Sequence, residues 1–284
     1  MEGLISSNRF HCRVQITENL AKQLAKMPGL EVIQFHDVKP DLQTLYHLNE
    51  LVFKGRKDIT LRVYGYGGSW QDIGFLQHLP ELERFDWESD EFLSVKPLYQ
   101  LKKLVHLGMG FANPKQKLSV AFLADFTSTL DSIRLQGDYK DFLTTVPKLS
   151  EIKTVWLSSM KLKGFDCLAG LPIETLGNYG GRVGSFDFVS QLRTLKRVWI
   201  KTNATLDKFD FISELPLLQE IERYYVSKLV RFPKCDHLQN LVKVIASDCN
   251  RLVDISEVLK LKKCKIALYG KQVPGRCYRA ERTS

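Results

Sequence analysis

One pattern recurs along this chain and confines what it folds into: apolar-x-x-apolar-x-x-apolar-x-apolar. It reads MPGLEVIQF from Met27, LYHLNELVF from Leu45, LPELERFDW from Leu79, LKKLVHLGM from Leu101 and TSTLDSIRL from Thr127. It continues as LSEIKTVWL from Leu149, GLPIETLGN from Gly170, LRTLKRVWI from Leu192, LPLLQEIER from Leu215, LQNLVKVIA from Leu238 and a slipped LKKCKIALY from Leu261. Successive starts lie 18, 34, 22, 26, 22, 21, 22, 23, 23 and 23 residues apart. A unit of that size cannot bury its apolar face alone, so such units stack on one another and share a continuous core.

Within each unit the last apolar residues fall two apart, the spacing at which strand side chains point to the same face. A turn and a return segment follow. The return segments also repeat, as QDIGFLQHL (71–79), FDCLAGL (165–171), FDFVSQL (186–192), FDFISEL (209–215) and VDISEVL (253–259). An Asp before an apolar pair suits the start of a short helical turn, where its carboxylate accepts from otherwise unpaired backbone N–H groups.

This combination resembles the 22-residue class of leucine-rich repeats, as in bacterial internalins and the regulatory subunits of certain phosphatases, over roughly residues 27–269. The resemblance implies an α/β solenoid. It would be a curved leucine-rich-repeat horseshoe with a parallel sheet on the concave face and short helical or irregular segments on the convex face. In that family an Asn or Cys after the strand feeds an internal hydrogen-bond ladder. Asn203 and Cys249 occupy that place here, while Asp90, Asp138, Met160 and Val226 stand there in other repeats, so the ladder is expected to be irregular.

Three segments are expected. Residues 1–26 form an N-terminal cap, with strand-like alternation over FHCRVQI (10–16) and a helix over TENLAKQLAKM (17–27) capped by Thr17, its Leu20, Leu24 and Met27 on one face. Residues 27–270 hold about eleven repeats, and 271–284 form a basic C-terminal tail. The 34-residue interval contains KGRKDITLRVYGYGGSW (54–70), either a binding loop or an extra strand at ITLRVY. Insertions in repeat proteins map to loops on one face, so Tyr64, Tyr66 and Trp70 form a secondary candidate surface.

Strand residues between the buried positions form columns across the exposed face of the sheet. The middle column reads Gln34, Val52, Asp86, Gly108, Arg134, Trp156, Gly177, Trp199, Glu222, Ile245 and Ala267. Trp156 and Trp199 stand two repeats apart there, flanked in the adjoining columns by Tyr179, Arg197, Lys201 and Tyr224, and with Arg134 in their own. Large aromatics with arginine on an exposed sheet have the composition of a binding hot spot. Repeat nine breaks the pattern, since Arg223 stands where an apolar residue belongs.

Recognisable catalytic motifs are missing. GYGG (65–68) and NYGGRVG (178–184) lack the spacing of phosphate loops, and the six histidines (His11, His36, His47, His78, His106, His237) show no metal-ligand spacing. No cofactor is expected. Six scattered cysteines, without a CxxC pair, read as free thiols. The chain has no 18-residue apolar stretch, and MEGLISSNRFHCRV lacks the form of a secretory signal, so the expected compartment is the cytoplasm.

The leading reading is a non-enzymatic, cytoplasmic, bacterial scaffold that binds a protein partner on its concave face, as an immunity or adaptor protein. The alternative is nucleic-acid or anionic-surface binding. The net charge is +9, and residues 238–284 alone hold ten Lys/Arg against four Asp/Glu.

Overall fold

The computed structural model describes residues 4–6, 8–111, 117–162, 164–183, 185–203, 205–261 and 263–269, so the 271–284 tail lies outside the described residues. The chain divides into two compact units, Met1–Lys140 and Asp141–Ser284.

In the first unit β1 (Leu4–Ser6) runs antiparallel to β2 (Arg9–Cys12). From β2 onward the strands are parallel and adjacent in chain order: β3 (Val32–Phe35), β4 (Thr60–Tyr64), β5 (Arg84–Ser89), β6 (His106–Phe111) and β7 (Ser132–Gln136). Between β2 and β3 lies α1 (Glu18–Lys26), where the Thr17 hydroxyl accepts from the Leu20 N–H at 3.3 Å. Ala21 and Leu24 are buried, with Leu20 and Met27 half-buried beside them.

The Leu45 repeat departs from expectation. LYHLNELVF forms no strand; it runs from α2 (Leu42–His47) into a wider helical turn at Leu48–Phe53, and Leu45, Leu48, Val52 and Phe53 are buried. The reason is physical: apolar residues three, seven and eight apart suit a helix as well as a repeat strand. Asp41 decides between them, because its carboxylate accepts from the Thr44 N–H at 2.7 Å and starts a helix. The strand is supplied instead by ITLRVY, as β4. Arg62 therefore takes the middle-column place, between Gln34 and Asp86, that the sequence suggested for Val52.

The second unit repeats one motif. Its strands are β8 (Thr154–Ser158), β9 (Lys161–Leu162), β10 (Thr175–Tyr179), β11 (Arg182–Val183), β12 (Arg197–Lys201), β13 (Glu220–Tyr224), β14 (Lys243–Ser247) and β15 (Lys265–Tyr269). β8, β10, β12, β13, β14 and β15 form one parallel series in strict register, and β9 pairs with β11 alongside. The residue after each of the first five strands of the series adopts a left-handed conformation: Ser159, Gly180, Thr202, Tyr225 and Asp248. Each donates its N–H to the carbonyl that ends the next strand, at 2.8–2.9 Å. NYGG thus holds a turn residue of the repeat rather than a phosphate cradle.

Return segments in both units are mostly short 3-10 turns. Asp72 and Asp254 accept from the N–H groups of Gly74 and Ser256, at 2.9 and 3.0 Å. Asp166, Asp187 and Asp210 depart from the expected capping place. They stand one residue later, as the first helical residue, behind Phe165, Phe186 and Phe209. These phenylalanines are buried, because the core takes the cap position for packing; Phe142, Phe165 and Phe188 follow one another edge to face at 6.1 and 6.0 Å.

Two polar residues enter the inward column of the second unit. Asn178 is in register with Leu157 and Ile200, and Arg223 with Ile200 and Ala246. Arg223 is fully buried, its guanidinium 3.8 Å from the Phe232 ring centroid and 4.9 Å from that of Phe209. Among the described residues none of its three guanidinium nitrogens has a hydrogen-bond partner, and burial pushes its pKa down to about 10. The cation–π contacts offset part of that desolvation cost.

Candidate partner-binding face

Strand alternation sets which residues face outward. In β8, Val155 and Leu157 enter the core, so Thr154, Trp156 and Ser158 line the open face; in β12, Val198 and Ile200 enter it and Arg197, Trp199 and Lys201 do not. Register places Trp156, Gly177 and Trp199 in one row. Strands two apart are separated by roughly 9–10 Å, yet the tryptophan ring centroids lie 5.1 Å apart, tilted by 64°. Gly177 makes the approach possible: a Cβ there would meet Cε3 of Trp156 at 1.9 Å, so Trp156 leans over the bare backbone.

Trp199 is the hub of the group. Tyr179 lies 6.4 Å and Tyr224 5.9 Å from it, and Tyr179 is 45% exposed. Lys201 holds its Nζ 5.1 Å from the Tyr179 ring centroid. Two carboxylates stand beside the aromatics. Glu222 accepts from the Tyr224 hydroxyl at 3.0 Å and from Lys243, and Glu220 pairs with Arg197 at 3.4 Å and Lys243 at 3.7 Å. Partial burial, then the Glu222 contact, raise the Tyr224 phenol to about 12, and the hydrogen bond of Lys243 to Glu222 raises that amine.

Of the sequence-derived candidates, Trp156, Tyr179, Arg197, Trp199, Lys201 and Tyr224 meet on this face. Arg134 lies in the first unit, where it binds Asp86 and Glu88. In the secondary segment Tyr66 is 63% exposed, and Tyr64 lies under the Arg62 guanidinium at 4.2 Å, with His36 at 4.6 Å. Trp70 is a correction. It is 1% exposed and donates its indole N–H to the His36 carbonyl at 2.7 Å, so it is core rather than contact surface. An aromatic ending a glycine-rich turn serves equally as the plug beneath that turn.

The open face of the first unit carries a polar network that the sequence reading missed. Arg62 binds Glu88 through two nitrogens at 3.0 and 2.8 Å and reaches Gln34 at 3.0 Å. Arg134 reaches Asp86 at 3.2 Å and also Glu88, and His106 bridges Asp86 at 3.1 Å and the Ser132 hydroxyl at 2.8 Å. Gly108 and Gly110 leave the room: a Cβ on either would strike Asp86 or Glu88. Burial alone would raise the Asp86 carboxyl, but His106 and Arg134 outweigh it and hold it at about 2. The Ser132–His106–Asp86 line joins the residue types of a hydrolytic triad, yet Ser132 is 4% exposed, which denies a substrate carbonyl access to its hydroxyl.

Among the described residues no three His, Cys, Asp or Glu side chains are grouped to hold a metal ion. Two cavities of about 220 and 160 Å³ lie in the return segments of the second unit and share Asp207 and Lys208, away from the aromatic face. The cysteines among the described residues are free thiols. No helix among the described residues is long and apolar enough to cross a membrane.

No family model matches the sequence, and no curated protein sequence matches it either. Solved structures do match. A leucine-rich-repeat protein of Leptospira interrogans aligns at 17% identity over 90% of this chain and 63% of its own, with a TM-score of 0.52. A chain of the Drosophila Toll–Spätzle complex aligns at 14% identity over 94% of this chain and 36% of its own, with a TM-score of 0.50. An internalin of Listeria monocytogenes aligns at 16% identity over 93% and 87%, with a TM-score of 0.48. The sequence period, the parallel in-register strands and the likeness to the Leptospira structure make this chain a leucine-rich-repeat solenoid.

Proposed function

We propose that the protein is a non-enzymatic binding scaffold whose concave sheet face takes a protein partner at the aromatic group of the second unit. The observation that carries this is the gathering of Trp156, Tyr179, Trp199 and Tyr224 around one point of an exposed sheet, with Arg197 and Lys201 at its edge. A fold-preserving surface needs no tryptophans there, whereas Trp, Tyr and Arg are the residues over-represented at binding hot spots. An open, preformed face suits a macromolecule better than a small ligand, which binds in an enclosing cavity. An adaptor or immunity protein of the bacterial cytoplasm would use the face in this way.

The anionic-surface alternative has less support. Of the basic residues after position 238, Lys243 and Lys260 are paired with Glu222 and Glu257, and those from Lys271 onward lie outside the described residues.

The test is affinity capture from a native lysate, with and without nuclease, comparing wild type with Trp156→Ala/Trp199→Ala. A protein held by wild type, released by the double substitution and indifferent to nuclease supports the reading, provided circular dichroism shows both forms folded. Nuclease-sensitive capture, or equal capture by both forms, overturns it.

A further inference from the structure

We infer that the partner segment presents a carboxylate beside an apolar side chain, with Lys201 and Arg197 reading the carboxylate. This rests on the aromatic face being the binding face. The open side of β12–β15 carries four cations, Arg197, Lys201, Lys243 and Lys265, against two carboxylates, Glu220 and Glu222. Lys243 holds both carboxylates and Arg197 shares one of them, so the acidic charge of the face is already neutralised from within. Lys201 forms no ion pair among the described residues; it rests against the Tyr179 ring. The Arg197 side chain is 59% exposed. The positive surplus therefore sits at the rim of the aromatic group and favours an acidic counterpart.

The spacing adds a constraint. Trp199 and Lys201 are same-face neighbours two residues apart on one strand, which separates them by roughly 7 Å. An extended peptide repeats that distance between its own residues i and i+2, so an apolar residue seated on Trp156 and Trp199 puts an acidic residue two positions away over Lys201. In the first unit Arg62 and Arg134 are matched by Asp86 and Glu88.

The probe is a displayed library of random twelve-residue peptides, selected on the wild-type protein and counter-selected on Trp156→Ala/Trp199→Ala. The expected winners carry Asp or Glu next to or two residues from an aromatic or aliphatic residue. Lys201→Glu weakens a winning peptide about tenfold, as does raising the salt, and exchanging the peptide's acid for Lys restores binding to Lys201→Glu. Winners that need the tryptophans but carry no acid overturn this inference and leave the binding face standing. An absence of tryptophan-dependent winners, or tryptophan-dependent binding of a labelled dT20 oligonucleotide in their place, overturns both.

Discussion

The Trp156 ring occupies the volume in which a Cβ of Gly177 would lie, 1.9 Å from Cε3. A glycine in a strand interior gives up side-chain packing, and here the vacated space is filled from the neighbouring strand, which draws two tryptophans together.

Gly177→Ala is the direct test of that arrangement. Val155 and Leu157 on the inward side are untouched, so the variant keeps its fold, but the added methyl lifts Trp156 from the backbone and away from Trp199. Tryptophan emission shifts to longer wavelength as the ring becomes more solvated, and affinity for a partner captured by the wild type falls about tenfold, the scale of a hot-spot contact.

The Asp86 carboxyl sets an acid limit for the first unit. Its pKa in the folded state is about 2, below the usual aspartate value of 3.8. The native state therefore favours the ionised form, and that stabilisation is fully present above about pH 4 and disappears as the pH falls through 2. It amounts to about 2 kcal/mol at neutral pH. Asp86→Asn removes it, so urea titrations of variant and wild type differ at pH 7 and converge as the pH approaches 2. A gap that persists at pH 2 means that the loss is packing rather than charge.

Much of this was legible in the sequence because a repeat writes the same physical requirement many times. Apolar residues two apart mark β5–β8, β12, β14 and β15, while β10 and β13, with Asn178 and Arg223 at the second inward position, follow from the period. The Leu45 repeat is ambiguous in sequence, since its apolar spacing suits a helix too, and only the Asp41–Thr44 cap separates the two. The burial of Trp70 is not legible in sequence, because a plug beneath a turn leaves no periodic signal. The Asp86–Arg134 pair escaped notice for a different reason: the partners stand 48 residues apart and meet across Gly108, a contact visible only once the strands are in register. Gly108, standing between Asp86 and Arg134 in the middle column, is the clue the sequence offers.

Arg223 predicts a substitution that strengthens the protein. A fully buried guanidinium with no hydrogen-bond partner among the described residues keeps most of its desolvation cost, and its two aromatic neighbours return only part of it. Arg223→Met keeps the length and the contacts with Phe209 and Phe232 and removes the charge. The melting temperature rises, for a gain of about 1–4 kcal/mol. A lower melting temperature shows that the guanidinium is held by more than these rings.

Asn203 predicts the opposite. Its Oδ1 accepts from the N–H groups of Thr205 and Leu206, at 3.0 and 2.8 Å, and from the Thr205 hydroxyl at 3.0 Å. The side chain is 1% exposed, so water replaces none of these bonds when it is removed. Asn203→Ala leaves two backbone donors unpaired at the turn after β12, a loss of about 1–3 kcal/mol for each one that stays buried. Hydrogen exchange distinguishes a local cause from a global one: the amides of Thr205 and Leu206 lose protection in Asn203→Ala while those of β8 and β10 keep theirs. If all exchange together, the second unit opens as one body and Asn203 sets the stability of the whole unit.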